Sequence, residues 1–189
     1  MEQFKPDSRK RRRLKDKLVI VINGKGGVGK DTVCDITSRL FYAKTISSIT
    51  PVKQIAALCG WKGEKDAKAR KFLADLKQLL IAYNDVPNRY LAQEVQAFRR
   101  APTQDILFVH IREADQIEAF LRNTGGKAVT LLIRSSRPGL SGVYGNSADD
   151  GVERYDYDYI FDNNCGKDAL FPETERFMTA LLKQERLLD

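Results

Sequence analysis

Histidine, cysteine and long apolar runs are all scarce in this chain, and each scarcity removes a class of function. There is one histidine, His110, and there are three scattered cysteines, Cys34, Cys59 and Cys165. None forms a Cys-x-x-Cys pair, so neither a zinc site nor a disulfide framework is expected. The odd, scattered cysteines suit a reducing compartment, and the cytoplasm is the expected location. No apolar stretch approaches the roughly 20 residues that span a bilayer, and the basic N-terminus carries no signal-peptide pattern. Internal repeats and a second domain boundary are also missing. What remains, 189 residues with 42% apolar content, suits one α/β domain with a proper core.

The net charge of +7 is unevenly placed. Residues 1–17 hold eight Lys or Arg (Lys5, Arg9, Lys10, Arg11, Arg12, Arg13, Lys15 and Lys17) against Glu2, Asp7 and Asp16, which is +5 of the total. A solvated, flexible leader is the expected form of this stretch, ahead of a single domain over 18–189. The Arg9–Arg13 run is also of a kind that touches nucleic acid or another anionic surface.

One segment is far more specific. The β-branched run Leu18-Val-Ile-Val-Ile22 leads through Asn23 into Gly24-Lys25-Gly26-Gly27-Val28-Gly29-Lys30-Asp31-Thr32. Strand, glycine-rich turn and helix in that order, with Gly-x-x-x-x-Gly-Lys complete from Gly24 to Lys30, is the pattern of a phosphate-binding P-loop (Walker A). The glycines let successive N–H groups converge on an anion, and the helix adds its positive end. Lys30 is placed to reach the β- and γ-phosphates of a nucleotide. Position 31 normally holds a Ser or Thr whose hydroxyl meets Mg²⁺. Asp31 stands there instead and is the expected metal partner, because a carboxylate is a hard-oxygen ligand. Thr32 is left for the α-phosphate.

Downstream, the apolar periodicities alternate between strand and helix. Helix is expected over 30–41, strand over Ala43–Ile49 closed by Pro51, and helix over Val52–Cys59. A long helix starts near Lys65 with Phe72, Leu73, Leu76, Leu79, Leu80 and Tyr83 at helical spacing. Another helix runs from Pro87 to about 100. Asp105–Ile111 reads as a buried parallel strand, followed by helix 114–123, strand Ala128–Ile133, a Gly/Ser/Asp-rich loop over about 135–153, strand Tyr157–Phe161 and helix 167–188. Such alternation implies a parallel sheet covered on both faces.

Ligands of such sheets bind beyond the carboxyl ends of the strands. Arg112, Arg134 and Arg137 fall at those ends, where they would clamp phosphate oxygens or face solvent. His110 lies where many P-loop enzymes carry the acid that anchors the magnesium water shell, and a packing role is its other reading. Glu113 is the nearest carboxylate in sequence. Arg70 and Lys77, seven residues apart on one helical face, form either a substrate-phosphate site or a solvated charged face.

Gly24–Val33 resembles the Gly-Lys-Asp-Thr loop of phage-type deoxynucleoside monophosphate kinases, and animal-type phosphomevalonate kinases share a similar loop. Ser47–Ala57, Gly60-Trp61, Glu64-Lys65-Asp66 and Arg70–Leu73 are similar to the phage kinases' acceptor segment. Val109-His110-Ile111-Arg112 resembles their Asp-Val-Arg strand end, with His110 in place of the acid. Thr50 likewise stands where the family often has an acid. Tyr157–Asn163, with Leu170, is similar to the last-strand pattern whose asparagine sits near the donor base.

The resemblance spans about 18–182. It implies a nucleoside monophosphate kinase fold, strand order 2-3-1-4-5, with ATP and Mg²⁺ as donor. The loop residues Gly24 to Thr32 and Asn163 would hold the nucleotide. Arg70, Lys77 and Arg112 would hold a phosphorylated acceptor, with Lys30, Arg112, Arg134 and Arg137 in catalysis and the last two opening a mobile lid. Two other readings stand beside it. Lys25-Gly-Gly-Val-Gly-Lys30 also matches the signature-lysine loop of partitioning ATPases, which require Ser or Thr at position 31. A nucleotide-binding sensor without turnover draws on His110 in place of an acid.

Overall fold

Every β1 residue, Leu18–Asn23, is buried, because this strand lies at the centre of a sheet flanked on both sides. The computed structural model describes residues 10–137 and 152–189. The further elements are α1 (Lys30–Leu40), β2 (Ala43–Ser47), α2 (Thr50–Leu58), α3 (Ala67–Asn84), α4 (Val86–Arg100), β3 (Ile106–His110), α5 (Ala114–Thr124), β4 (Ala128–Arg134), a 3-10 turn at Val152–Arg154, β5 (Tyr159–Asp162) and α6 (Lys167–Gln184). The five strands form one parallel sheet in the order β2-β3-β1-β4-β5. This is the α/β P-loop NTPase fold with the expected strand order.

Side chains of β1 alternate between two cores, as a two-sided sheet requires. Leu18, Ile20 and Ile22 pack with Phe108, Leu131 and Ile133 beneath α1 and α6. Val19 and Val21 pack with Leu107, Val109, Leu91, Val95, Phe98 and Ile117 beneath α4 and α5. The register sets the working edge. His110 lies between Ile22 and Ser47, Asn23 beside Leu132, and Arg134 beside Asp162.

The element boundaries differ from the sequence reading in a few places. β2 ends at Ser47, and Pro51 sits in the first turn of α2 instead of closing the strand, a position that suits its fixed φ. β5 starts at Tyr159, later than expected, and α6 ends at Gln184. Helix α3 starts at Ala67, close to the expected place, but little of it is covered. Phe72 (37% exposed), Leu79 (64%) and Tyr83 (82%) face outward, and only Ala69 and Lys77 of this helix are buried.

Residues 10–17 run along the end of the sheet remote from the glycine loop. The Arg12 N–H donates to the Leu40 carbonyl (2.8 Å), and its guanidinium stacks over Phe41 while donating to Thr179 Oγ1. Arg13 pairs with buried Asp105 at 2.9 Å, and Lys17 caps the Phe98 and Gln104 carbonyls. This part of the expected leader is tied to the body, while residues 1–9 lie outside the described residues. Among the described residues, no helix is long and apolar enough to cross a membrane.

Candidate active site at the carboxyl edge of the sheet

The loop between β1 and α1 is held by its glycines and by one buried asparagine. Gly24 has φ +144°, and a Cβ there would lie 2.2 Å from the Ile133 carbonyl oxygen of β4. Gly29 caps α1 with φ +98°, and a Cβ there would meet the Asn163 amide at 2.5 Å. Neither position tolerates a side chain, so the loop presses directly against its neighbours. Asn23, fully buried, accepts the Gly24 N–H on Oδ1 (2.8 Å) and donates from Nδ2 to the Arg112 carbonyl (3.1 Å). The loop therefore opens from a residue tied to the end of β3.

Within the loop, Gly26 and Lys25 are half-buried, Gly27 is exposed and Val28 is buried. The Lys30 ammonium folds back to donate to the Gly24 and Lys25 carbonyls, the latter at 2.8 Å. This places its charge at the mouth of the loop. Lys25 reaches the other way and pairs with Glu153 of the 3-10 turn at 3.1 Å. That turn is fixed by buried Val152, whose carbonyl accepts the Tyr157 hydroxyl at 2.9 Å. Asp31 and Thr32 sit exposed on the first turn of α1.

Asn163, expected near the donor base, is fully buried. Its Nδ2 donates to the Val28 carbonyl at 2.7 Å, and the Cys165 thiol lies 3.6 Å from its Oδ1. Its amide braces the loop from beneath, because the strand order brings the end of β5 under the glycine turn.

The expected arginines divide. Arg112 is exposed just past β3. Arg134 forms a two-pronged pair with its cross-strand neighbour Asp162, which holds the Asp162 carboxyl below its ordinary range. Arg137 donates to Ser135 Oγ at 3.1 Å. The lid expected after Arg137 falls on 138–151 and lies outside the described residues. Arg70 is exposed on α3, but Lys77 is buried and its ammonium is bound to Glu113 Oε1 at 2.6 Å. The two therefore do not present one shared basic face, because Glu113 at the start of α5 engages Lys77 while Arg70, two turns away, stays exposed.

His110 is half-buried at the end of β3, and desolvation, together with Lys30 and Arg112, pushes its pKa down to about 4 despite Asp31. It is neutral near pH 7. Its Nε2 lies 3.9 Å from the Cys34 thiol, whose own pKa burial pushes up to about 12. The strand end thus carries an uncharged imidazole close to an uncharged thiol.

Among the described residues, no group of three or more His, Cys, Asp or Glu side chains could hold a metal ion alone. Asp31 still offers a hard carboxylate oxygen on the exposed first turn of α1, beside the loop. That fits Mg²⁺, which keeps waters and takes phosphate oxygens with one or two protein ligands.

Sequence inspection missed three contacts: Lys77–Glu113, Lys25–Glu153 and Asn23–Arg112. Only the first left a trace. Lys77 falls between Leu73 and Leu80 on the inward stripe of α3, and a lysine there calls for an acid partner.

No family model matches the chain, and no curated protein matches it. Solved structures do. A Chloroflexus aurantiacus protein described as a "putative kinase" shares 13% identity at TM-score 0.53, covering 92% of this chain and 97% of that one. A sugar kinase from Janibacter shares 14% identity at TM-score 0.49, covering 86% and 94%. The Mycobacterium tuberculosis APS kinase CysC, as a Cys556Ala mutant, shares 10% at TM-score 0.43, covering 86% and 97%. The fold is that of P-loop proteins. At such identities the likeness extends to the architecture alone.

Proposed function

We propose that this protein transfers the γ-phosphoryl group of ATP to a small phosphorylated acceptor, a nucleoside or deoxynucleoside monophosphate in the first instance. The observation that carries this reading is the glycine loop at the end of β1. Its Lys30 charge lies at the mouth, and Arg112 and Arg134 stand on the same edge of the sheet. In the transfer, an acceptor phosphate oxygen attacks the γ-phosphorus and the bond to the β–γ bridging oxygen breaks, releasing ADP. Little covalent chemistry falls to the protein, so positioning and charge neutralisation supply the rate.

The loop amides and α1 N-terminus would bind the phosphates, and Lys30 would swing from its own carbonyls to the β- and γ-oxygens. Arg112 and Arg70 would hold the acceptor phosphate, while Arg134 and Arg137 would meet charge developing on the transferred group. Asp31 would hold Mg²⁺, which supplies charge neutralisation at the phosphate oxygens when bound. The test is ADP release from ATP·Mg²⁺ against a panel of ribo- and deoxyribonucleoside monophosphates, phosphomevalonate and dephospho-coenzyme A. Strong stimulation by one acceptor supports the reading. Slow release indifferent to all of them rejects it.

His110 favours a second reading, a nucleotide-binding sensor with little turnover. A neutral, half-buried imidazole does not replace an acid in anchoring hydrated metal. This reading is supported by tight ATP binding without acceptor-dependent ADP release.

A further inference from the structure

Helix α3 spans 18 residues, yet it contributes only Ala69 and Lys77 to the buried interior, and its apolar Phe72, Leu79 and Tyr83 point outward. Its inward anchor is a charge. The Lys77 side chain is 10% exposed and bonds Glu113 Oε1 at 2.6 Å. Glu113 occupies the N-cap of α5, where an acidic side chain commonly caps its own helix, but it makes no capping bond. Its carboxylate is spent on α3 instead. The second oxygen, Glu113 Oε2, is buried and finds no donor among the described residues.

The backbone then carries the connection onward. Glu113 follows Arg112, the Arg112 carbonyl accepts from Asn23 Nδ2 at 3.1 Å, and Asn23 Oδ1 receives the N–H of Gly24, the first glycine of the loop. Two side-chain links, Lys77–Glu113 and Asn23–Arg112, meet at the adjacent residues Arg112 and Glu113 and so join α3 to the phosphate loop. Removing one member of this largely buried pair leaves its partner charged and unmatched.

We infer that Lys77 and Glu113 are positioning residues that make α3 respond to occupancy of the phosphate loop. The unmatched Glu113 Oε2 leaves this linkage one buried acceptor open to a further donor. Under the kinase reading, on which this part rests, the consequence is that nucleotide binding sets the placement of Arg70 and Arg112 for the acceptor. The link itself is independent of that reading and is tested without any acceptor.

The experiment is amide hydrogen exchange of the full chain, with and without a non-hydrolysable ATP analogue and Mg²⁺, in wild type, Glu113→Gln and Lys77→Met/Glu113→Gln. The double variant removes both charges at similar volume, which guards against simple unfolding. In wild type the analogue should slow exchange across 67–84 by about tenfold. Both variants should bind the analogue within about twofold of wild type and lose that slowing. Equal slowing in the variants overturns the inference, as does a wild-type α3 indifferent to the analogue. Acceptor assays on the same proteins separate the two claims. Retained coupling without any acceptor-stimulated ADP release rejects the kinase reading and leaves the linkage standing. Acceptor-stimulated release with an indifferent α3 does the reverse.

Discussion

The side-chain amide of Asn163 donates to the backbone carbonyl of Val28 across 2.7 Å, joining the end of β5 to the underside of the glycine loop. The same amide occupies the space that a Cβ on Gly29 would need. Loop shape and strand end are therefore one unit, and their energetics are coupled.

Gly29→Ala forces a methyl against Asn163 and a left-handed backbone on a residue with a Cβ. Such strain costs on the order of 1–3 kcal/mol, so a lower melting temperature and triphosphate binding weakened about tenfold or more are expected. In an Asn163→Ala background the steric part of the penalty should shrink. A double-mutant cycle on thermal stability measures it, and strict additivity would show that the contact is not the cause.

Arg70→Ala and Arg112→Ala should each raise the acceptor KM by about tenfold or more, while ATP binding stays within about twofold. Lys30→Ala should weaken triphosphate binding instead. Steady-state kinetics with calorimetric ATP titration separates these patterns. Unchanged acceptor kinetics in both arginine variants would remove them from the acceptor site.

Asp31→Asn keeps the shape of the first turn of α1 and removes its charge. The Mg²⁺ concentration for half-maximal nucleotide binding should rise about tenfold, as expected when a charged carboxylate ligand becomes a neutral amide oxygen. Nucleotide affinity measured in chelator should change little. A magnesium titration unaffected by the substitution would place the metal elsewhere.

The depressed pKa of His110 has a consequence for folding. Between about pH 6.5 and 4 the unfolded chain takes up a proton that the folded imidazole refuses. Stability from the half-buried neutral ring is fully present above 6.5 and falls as the pH drops, by at most roughly 3 kcal/mol for this group. His110→Gln should flatten that part of the profile. Urea midpoints at about pH 7 and about pH 4.5 test it, and parallel slopes in the two proteins would exclude His110 as the titrating group.

Much of the fold was legible from local pattern. The β-branched run 18–22 and the glycine spacing after it specify strand, turn and helix within one short segment, and β1 and the start of α1 fall where that pattern puts them. Strand order was legible only through resemblance, because a parallel sheet pairs residues far apart in sequence. The exposure of Phe72, Leu79 and Tyr83 on α3 was not legible, because helical spacing shows that apolar residues share a face, while only packing decides whether that face is covered.

By itself, then, the sequence determined the succession of strands and helices and the phosphate loop, since these rest on contacts between near neighbours in the chain. Only the tertiary structure decided the partners of the charged and amide side chains. Lys77 meets Glu113 across 36 positions, and Asn163 meets Val28 across 135. The physical reason is burial: a polar group taken out of water must find its complement wherever the folded chain presents one, and the crossovers of the sheet, not sequence distance, set that choice.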